Sequence, residues 1–308
     1  MAAIIQVHQL TKNYGDVQAV QGIDLEVQSG EIFAMLGPNG AGKSTTVEIL
    51  EGLRPRDGGD VSVLGIDPAR DPHRLKSRIG VVLQQTVFPN KMRVSEVIEL
   101  YGRLYKARPN AKELLERFAL SEKAGAYYEN LSGGQKQKLA LMLAMINDPP
   151  IVFLDEPSTG VDAHTRRTIH DWLRQLRSEG RTVFLTTHYI HEAEQLADRV
   201  AIVARGKVIR EGTVEQMASG LTVESELRVR TAMPMNPEAV SKLPTVQSVK
   251  AENGTASLRV LNPAQAVSAL VRYLDSQNNE LLDVAVWRPT LEDVFLKLTG
   301  ERLGEEEQ

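Results

Sequence analysis

Apolar and polar positions along this chain change period from block to block, and each period predicts a different element. From Ile4 to Leu36 the reading is strand-rich. Val20-Gln21-Gly22-Ile23-Asp24-Leu25-Glu26-Val27 alternates and runs into the turn pair Ser29-Gly30. Glu31 to Leu36 is a short, mostly apolar run of buried-strand length. Ser44 to Leu50 then reads as the first turns of a helix that Gly52 is suited to end. Asp57-Gly58-Gly59-Asp60 predicts a turn, with strands at Val61 to Gly65 and Ile79 to Leu83. From Val94 to Ile146 the spacing becomes helical, with Val94, Val97, Ile98, Tyr101 and Leu104 on one face, and Leu114, Leu115 and Phe118 on another.

Strands return at Ile151 to Leu154 and Thr182 to Leu185. Both are continuous apolar runs, as in a parallel sheet covered on both faces. Arg167 to Arg177 between them predicts a crossover helix, and Val200 to Ala204 with Lys207 to Arg210 a hairpin. A composition break falls near Met217 to Thr222. Beyond it strands are expected at Leu227 to Val229, Ser257 to Val260 and Leu281 to Val286, with helices at Ala264 to Leu274 and Leu291 to Leu298. The expected organisation is a main domain over 1–218 with a helical insert at about 89–147, a small α+β domain over 222–300, and an acidic tail over 301–308.

Composition narrows the function classes. The 308 residues carry a formal net charge of −4 with both signs mixed, which argues against an electrostatic nucleic-acid binder. There is no cysteine, so neither a disulfide framework nor thiolate chemistry is available. Met1 to His8 lacks the basic and apolar regions of a signal peptide. No window approaches the roughly 20 apolar residues of a membrane span. The chain is expected to be cytosolic in character, so that any work at a membrane needs another polypeptide for the spans.

Candidate chemistry begins at Gly37-Pro38-Asn39-Gly40-Ala41-Gly42-Lys43-Ser44, which fits G-x-x-x-x-G-K-[ST] at every fixed position, between a predicted strand and a predicted helix. The glycines let backbone N–H groups converge on phosphate oxygens, and the helix N-terminus adds positive partial charge. Lys43 can reach the β and γ phosphates, and Ser44 can offer its hydroxyl to Mg²⁺. The strand Ile151 to Leu154 ends in Asp155 and Glu156, with Pro157 after them. Ligands sit at the carboxyl ends of parallel strands. Asp155 is placed to hold the Mg²⁺ shell, and Glu156 to orient or deprotonate an attacking water. His188 follows Thr182 to Thr187 at another strand end, where it can meet the γ-phosphate. His188 and His191 have a metal-pair spacing, but no nearby cysteine completes a ligand set. Gln84 or its neighbour Gln85, after the strand Ile79 to Leu83, offers an amide to Mg²⁺ or water. Tyr14, before Gly15, can stack on adenine.

A second string, Leu131-Ser132-Gly133-Gly134-Gln135, precedes a helix over Lys136 to Ile146. Ser132 is a natural N-cap, the glycines expose donors, and the helix dipole makes this a second anion site far from the first in sequence.

Together these strings resemble the nucleotide-binding subunit of ATP-binding cassette transporters over about Ile4 to Met217. The resemblance carries the Walker A loop onto Gly37 to Thr45, including Thr45, and the Walker B strand onto Ile151 to Asp155. It carries the signature onto Leu131 to Gln135, the D-loop onto Ser158 to Asp162, and the switch histidine onto His188. It implies an α/β fold: a P-loop NTPase core with an antiparallel β subdomain and helical insert, plus a small α+β C-terminal domain. It also implies ATP and Mg²⁺ as ligands, and a second copy of the chain placed head to tail. In such a pair each ATP lies between one copy's Walker A and the other's signature, with Asp162 of the D-loop among the nucleotide-binding residues. Leu83 stands before Gln84 where the family often has proline, and Val161 where leucine is common. The tail from Trp287 to Gly300 and the run His188 to Asp198 resemble bacterial drug-export ATPases of the daunorubicin-resistance type. That implies a separate membrane permease and a place at the cytoplasmic face of the membrane. The alternatives are an importer ATPase and a soluble, non-transport cassette protein. A GTPase is disfavoured because no Asn-Lys-x-Asp reader is present.

Overall fold

Alternation at the start of the chain produces two long strands, β1 (Ala3–Tyr14) and β2 (Val17–Gln28), paired antiparallel with Ile5, Leu10, Ile23 and Val27 fully buried. This is a computed structural model, and it describes residues 3–83, 86–107, 110–218, 225–252, 255–287 and 290–300. The chain divides into two compact units, Met1–Val214 and Glu215–Arg302.

In the larger unit the all-buried strand β3 (Ile32–Leu36) leads through the glycine loop into α1 (Lys43–Leu50). Gly52 follows α1 with φ +68°, the left-handed turn that glycine allows. The next strand, β4 (Gly58–Val63), completes a three-stranded antiparallel sheet in the order β2-β1-β4. It begins inside the stretch expected to be a turn. Asp57 accepts hydrogen bonds from Lys12 Nζ (2.6 Å) and the Asn13 amide (2.7 Å), which fixes the entry. Gly58 then pairs with Thr11 and Asp60 with His8 across an irregularity. Gly59 sits there at φ +84°, where a Cβ would lie 2.3 Å from the Gln9 carbonyl oxygen. The double glycine serves a bulge within a strand, not a reversal.

The helix α2 (Pro72–Lys76), capped by Asp71, leads to β5 (Ile79–Val82). The helical block contains α3 (Val94–Leu104), α4 (Ala111–Arg117) and α5 (Gly133–Ala144). Phe88 packs edge-on against both Tyr101 and Tyr128 within it. The chain returns to the sheet with β6 (Ile151–Asp155), crosses on α6 (Ala163–Ser178) to β7 (Thr182–Thr187), and passes α7 (Ile190–Leu196) to the antiparallel pair β8 (Arg199–Ala204) and β9 (Lys207–Gly212). The six-stranded sheet runs β5-β6-β7-β3-β8-β9 and is parallel except for β9. Phe33, Phe153 and Phe184 are each fully buried and meet across β3, β7 and β6 with centroids 5.4 and 5.6 Å apart. Each such ring contributes about 1.5–3 kcal/mol by leaving water, so the three strands that end at the site are held in fixed register.

After α8 (Val214–Ala218), the smaller unit forms a four-stranded antiparallel sheet. Its strands are β10 (Ser225–Thr231), β11 (Val246–Glu252), β12 (Thr255–Val260) and β13 (Leu281–Trp287), in the order β11-β12-β10-β13. The short α9 (Pro237–Val240) precedes β11, and α10 (Pro263–Ser276) lies between β12 and β13. Leu227, Val229, Leu258, Val260, Leu270 and Leu274 form its core. The last helix, α11 (Leu291–Thr299), starts at a Thr290–Asp293 capping box. The strand β11 escaped the sequence reading because Val246 to Glu252 mixes charge and serine into its alternation. The α/β class, with an antiparallel subdomain, a helical block and a second small α+β unit, is what the chain adopts.

Candidate functional site

Three adjacent parallel strands, β6, β7 and β3, end at one edge of the large sheet. Each hands a functional segment to that edge: Asp155 and Glu156 from β6, His188 just after β7, and the glycine loop after β3. The loop is shaped by glycines with no room to be anything else. At Gly42, which caps α1 at φ +99°, a Cβ would stand 2.4 Å from the Ala19 carbonyl oxygen; at Gly37 it would stand 2.2 Å from that of Val203. Gly40 is different: φ is +77° and its missing Cβ faces open space.

Lys43 is 4% exposed, and its ammonium donates to the carbonyls of Gly37 (2.7 Å) and Pro38 (3.0 Å). It also lies 3.5 Å from the Glu156 carboxylate. Burial holds its pKa below the ordinary lysine value, and the attraction of Glu156 pulls the other way. Ser44 Oγ donates to Asp155 Oδ1 at 3.2 Å, and Thr186 Oγ1 donates to the same oxygen. Thr186 also accepts the Glu156 amide on both its hydroxyl (3.0 Å) and its carbonyl (3.2 Å). Glu156 is thereby held at φ +50°, a strained conformation for a residue with a side chain. Its carboxylate, 8% exposed, lies 3.2 Å from His188 Nδ1, and Thr159 Oγ1 donates to it at 3.3 Å. The His188 ring is tilted against Tyr189 at 4.1 Å, and Arg166 covers the other ring at 5.3 Å.

A cavity of about 710 Å³ opens over these groups, lined by Asn39, Gly40, Gly42, Lys43, Ser44, Thr45, Glu156 and His188, with Tyr14 on one wall. Tyr14 is 40% exposed and has Arg54 and Lys12 against its ring, at 5.2 and 5.7 Å. The donor set suits a nucleoside triphosphate: an ammonium, a glycine-shaped loop, a helix N-terminus and an aromatic wall. For a divalent ion the neighbouring oxygens of Ser44 and Asp155 suit Mg²⁺, which takes one or two protein ligands beside substrate phosphates. Among the described residues no cluster of three or more His, Asp or Glu side chains offers a metal cage. His191, the other half of the metal-pair spacing, is exposed beside Glu194.

The second glycine string does not line this cavity. Ser132 caps α5 and forms a reciprocal box with Gln135: Gln135 N donates to Ser132 Oγ at 3.3 Å, and Ser132 N to Gln135 Oε1 at 2.9 Å. A Cβ on Gly134 would stand 2.5 Å from Thr165 Oγ1, whereas one on Gly133 would meet nothing within 4 Å. Asp162 caps α6, accepting from the amides of His164 and Thr165 and from the Thr165 hydroxyl at 2.7 Å. Those bonds, with Thr165 foremost, keep its carboxyl below the ordinary range. Gln84 and Gln85 lie outside the described residues.

Sequence reasoning missed Thr186, the hinge pin between Asp155 and Glu156. Its signal was a polar pair, Thr186-Thr187, closing an otherwise apolar strand. It also missed the buried carboxylate Glu192, which accepts from Ser158 Oγ at 2.5 Å and lies 3.2 Å from His170 Nε2. Burial raises this acid, but the bonds from His170, Ser158 and Thr187 outweigh it and keep the group ionised more readily than usual.

A family pattern described as ABC transporter matches residues 20–159. The chain is 39% identical over 306 residues to a daunorubicin resistance ATP-binding protein of Streptomyces coeruleorubidus, covering 96% of each. It is 35% identical to the Nod factor export ATP-binding protein I of Rhizobium meliloti, covering 97% of this chain and 89% of that one. Among solved structures it resembles a dimeric ATP-binding cassette in a post-hydrolysis state with ADP and phosphate, with a TM-score of 0.62 and 28% identity over 68% of this chain and 98% of that one. With the nucleotide cavity built as described and likeness spanning nearly the whole length, the chain belongs to the ABC transporter family, as an ATP-binding subunit with ATPase activity.

Proposed function

We propose that the chain is the ATPase of an exporter, working as a head-to-tail pair of copies at the cytoplasmic face of the membrane on a separate permease that carries a drug-like small molecule. The relatives named for daunorubicin resistance and Nod factor export support the direction of transport. Among the described residues no helix is long and apolar enough to cross a membrane, so the reading gives the path to another chain.

In this reading Lys43 and the loop amides bind the β and γ phosphates. Bound Mg²⁺, held by Ser44 and Asp155 with Gln84 as a further oxygen ligand, would supply charge neutralisation on the phosphates. Glu156 accepts a proton from water as its oxygen attacks the γ-phosphorus and the bond to the ADP oxygen breaks. His188 steadies that carboxylate and the γ-phosphate charge. Tyr14 carries the adenine ring. Ser132, Gly133, Gly134 and Gln135 of the second copy close the far side of the triphosphate, with Asp162 at the shared face.

The observation that carries this is the convergence on the Glu156 carboxylate of two sequence-distant groups, Lys43 Nζ at 3.5 Å and His188 Nδ1 at 3.2 Å. The test is turnover against protein concentration. Rate per chain should climb with concentration until dimers saturate, and ATP with Mg²⁺ should drive the shift from one copy to two in size-exclusion chromatography. A fully active chain that stays single under turnover would overturn the paired site.

A further inference from the structure

Glu192 on α7 is a buried acid with no part in the chemistry proposed for the nucleotide cavity. It is 3% exposed, and its neighbour His170 on α6 is 6% exposed. One oxygen, Oε1, meets two groups: Ser158 Oγ donates to it at 2.5 Å, and His170 Nε2 lies 3.2 Å away. A buried charged pair is often no better for stability than apolar side chains of the same volume. What it adds here is direction, because each bond to a charged acceptor is strong and fixes its donor in place.

The groups joined at that oxygen come from the segments that set up the site. Ser158 stands two residues after Glu156, beside Pro157, whose carbonyl accepts from Gln137 of α5. His170 belongs to α6, the helix that Asp162 caps and whose Thr165 packs against Gly134. Glu192 is four residues beyond His188. Its amide donates to the Tyr189 carbonyl at 3.1 Å, and the Tyr189 ring carries that of His188 at 4.1 Å. One turn before His170, Arg166 covers the same tyrosine ring at 5.3 Å. So α6 grips the His188 turn twice, and Glu192 passes that grip to the Glu156 segment. Glu192 itself does not line the nucleotide cavity, whereas Tyr189 does.

We propose that Glu192, braced by His170, is a positioning residue for ATP hydrolysis. It holds the Ser158 segment and the His188 turn at the separation that keeps His188 Nδ1 on the Glu156 carboxylate, 3.2 Å away. The inference rests on the reading of Glu156 as the base and His188 as its partner.

The test is steady-state turnover of the full chain, with nucleotide affinity and thermal melting measured on the same samples. Glu192→Gln keeps the shape and removes the charge. It should lower kcat about 10- to 100-fold, as a small misplacement of reacting groups does, and leave KM for ATP and the affinity for a labelled nucleotide nearly unchanged. Breaking a buried pair also destabilises, so two further variants separate position from stability. His170→Phe combined with Glu192→Met fills the same space with apolar atoms. It should melt no lower than the unaltered chain and still show the loss in kcat. Ser158→Ala keeps the pair and cuts only its link to the Glu156 segment; kcat should fall by a smaller factor. In a Glu156→Gln background, Glu192→Gln should lower the residual turnover by no more than about 2-fold, since coupled sites are not additive and no base is left to position. Unaltered kcat in any folded member of the set, or kcat that simply follows melting temperature, overturns the positioning role. Equal losses from Glu192→Gln with and without Glu156 overturn it too. Full turnover in Glu156→Gln alone sinks the reading of that base instead, and the two failures are told apart because each is measured against the unaltered chain.

Discussion

Two glycine strings in this chain use the same device, small residues at the start of a helix, and end in opposite situations. The loop at Gly37 to Ser44 is surrounded by its own chain: Lys43 is buried, Glu156 lies 3.5 Å from it, and Asp155 is bonded to Ser44. Among the described residues the side-chain hydrogen bonds of the loop at Ser132 to Gln135 are those of its own cap, and Gly133 faces open space. Yet it is not loosely attached. Gln137 Nε2 donates to the Pro157 carbonyl at 2.9 Å, and Gly134 lets α5 press onto Thr165, whose hydroxyl bonds Asp162. The difference teaches that the first loop is built into a cavity of its own chain, whereas the second is mounted rigidly with its helix end left open. It is tied back to the segment that carries Glu156 but points its helix end outward.

The comparison breaks most decisively at Glu156. Glu156→Gln keeps the shape of the side chain and removes the base. Turnover should fall about 10²–10³-fold while ATP binding, measured by fluorescence of a labelled nucleotide, stays within a few-fold. Full turnover in that variant would remove Glu156 from the chemistry and leave the first loop a binding site alone.

The next largest effect is expected at Gly133. Gly133→Asp meets no atom of its own chain and places a negative charge at a helix N-terminus, where it favours the folded single copy. If this helix end faces a triphosphate held by the second copy, the same charge repels it. Turnover should drop about 10–100-fold, in the range of losing one preorganised donor, with nucleotide binding to the single chain and the melting temperature undiminished. Unchanged turnover would mean that the second loop stays solvated throughout the cycle.

Much of this contrast could be read from residue order, and some could not. The glycine loop, Asp155, Glu156 and His188 were legible because each closes a short apolar run, and strand ends in parallel sheets gather. That Glu156 would need the left-handed region, pinned by Thr186, was not legible, since it depends on the β6–β7 register that aligns Asp155 with Thr186. The double glycine at Gly58 and Gly59 was misread because a bulge and a turn use the same residue for the same backbone reason.

A smaller effect sharpens the comparison through pH. Lys43 loses its proton below the ordinary lysine pKa because it is buried, and Glu156 opposes that loss. Nucleotide affinity should therefore decline on the alkaline side before exposed lysines titrate, and Glu156→Gln should move the decline to lower pH. Stability moves the other way. Between the depressed pKa and 10.5 the unfolded chain binds the extra proton, so the folded state gains as pH rises through that window. Affinity titrations across the alkaline range test this; identical pH profiles for the two proteins would deny the coupling of Lys43 to Glu156.

The smallest expected effect separates the mounting of the second loop from its chemistry. Ser132→Ala deletes the side-chain cap of α5 and half of its reciprocal box with Gln135. A lost serine cap costs about 1 kcal/mol, which for a unit of this size lowers the melting temperature by about 2–4 °C. Ser132→Asp restores the cap oxygen and adds a negative charge at the outward end of the helix, so it should recover the melting temperature and not the turnover. A variant pair in which activity simply follows thermal stability would show that Ser132 is a helix cap and no more. Activity lost in the aspartate variant despite recovered stability would place an anion opposite this helix during the cycle, at a helix end that does not line the nucleotide cavity of its own chain.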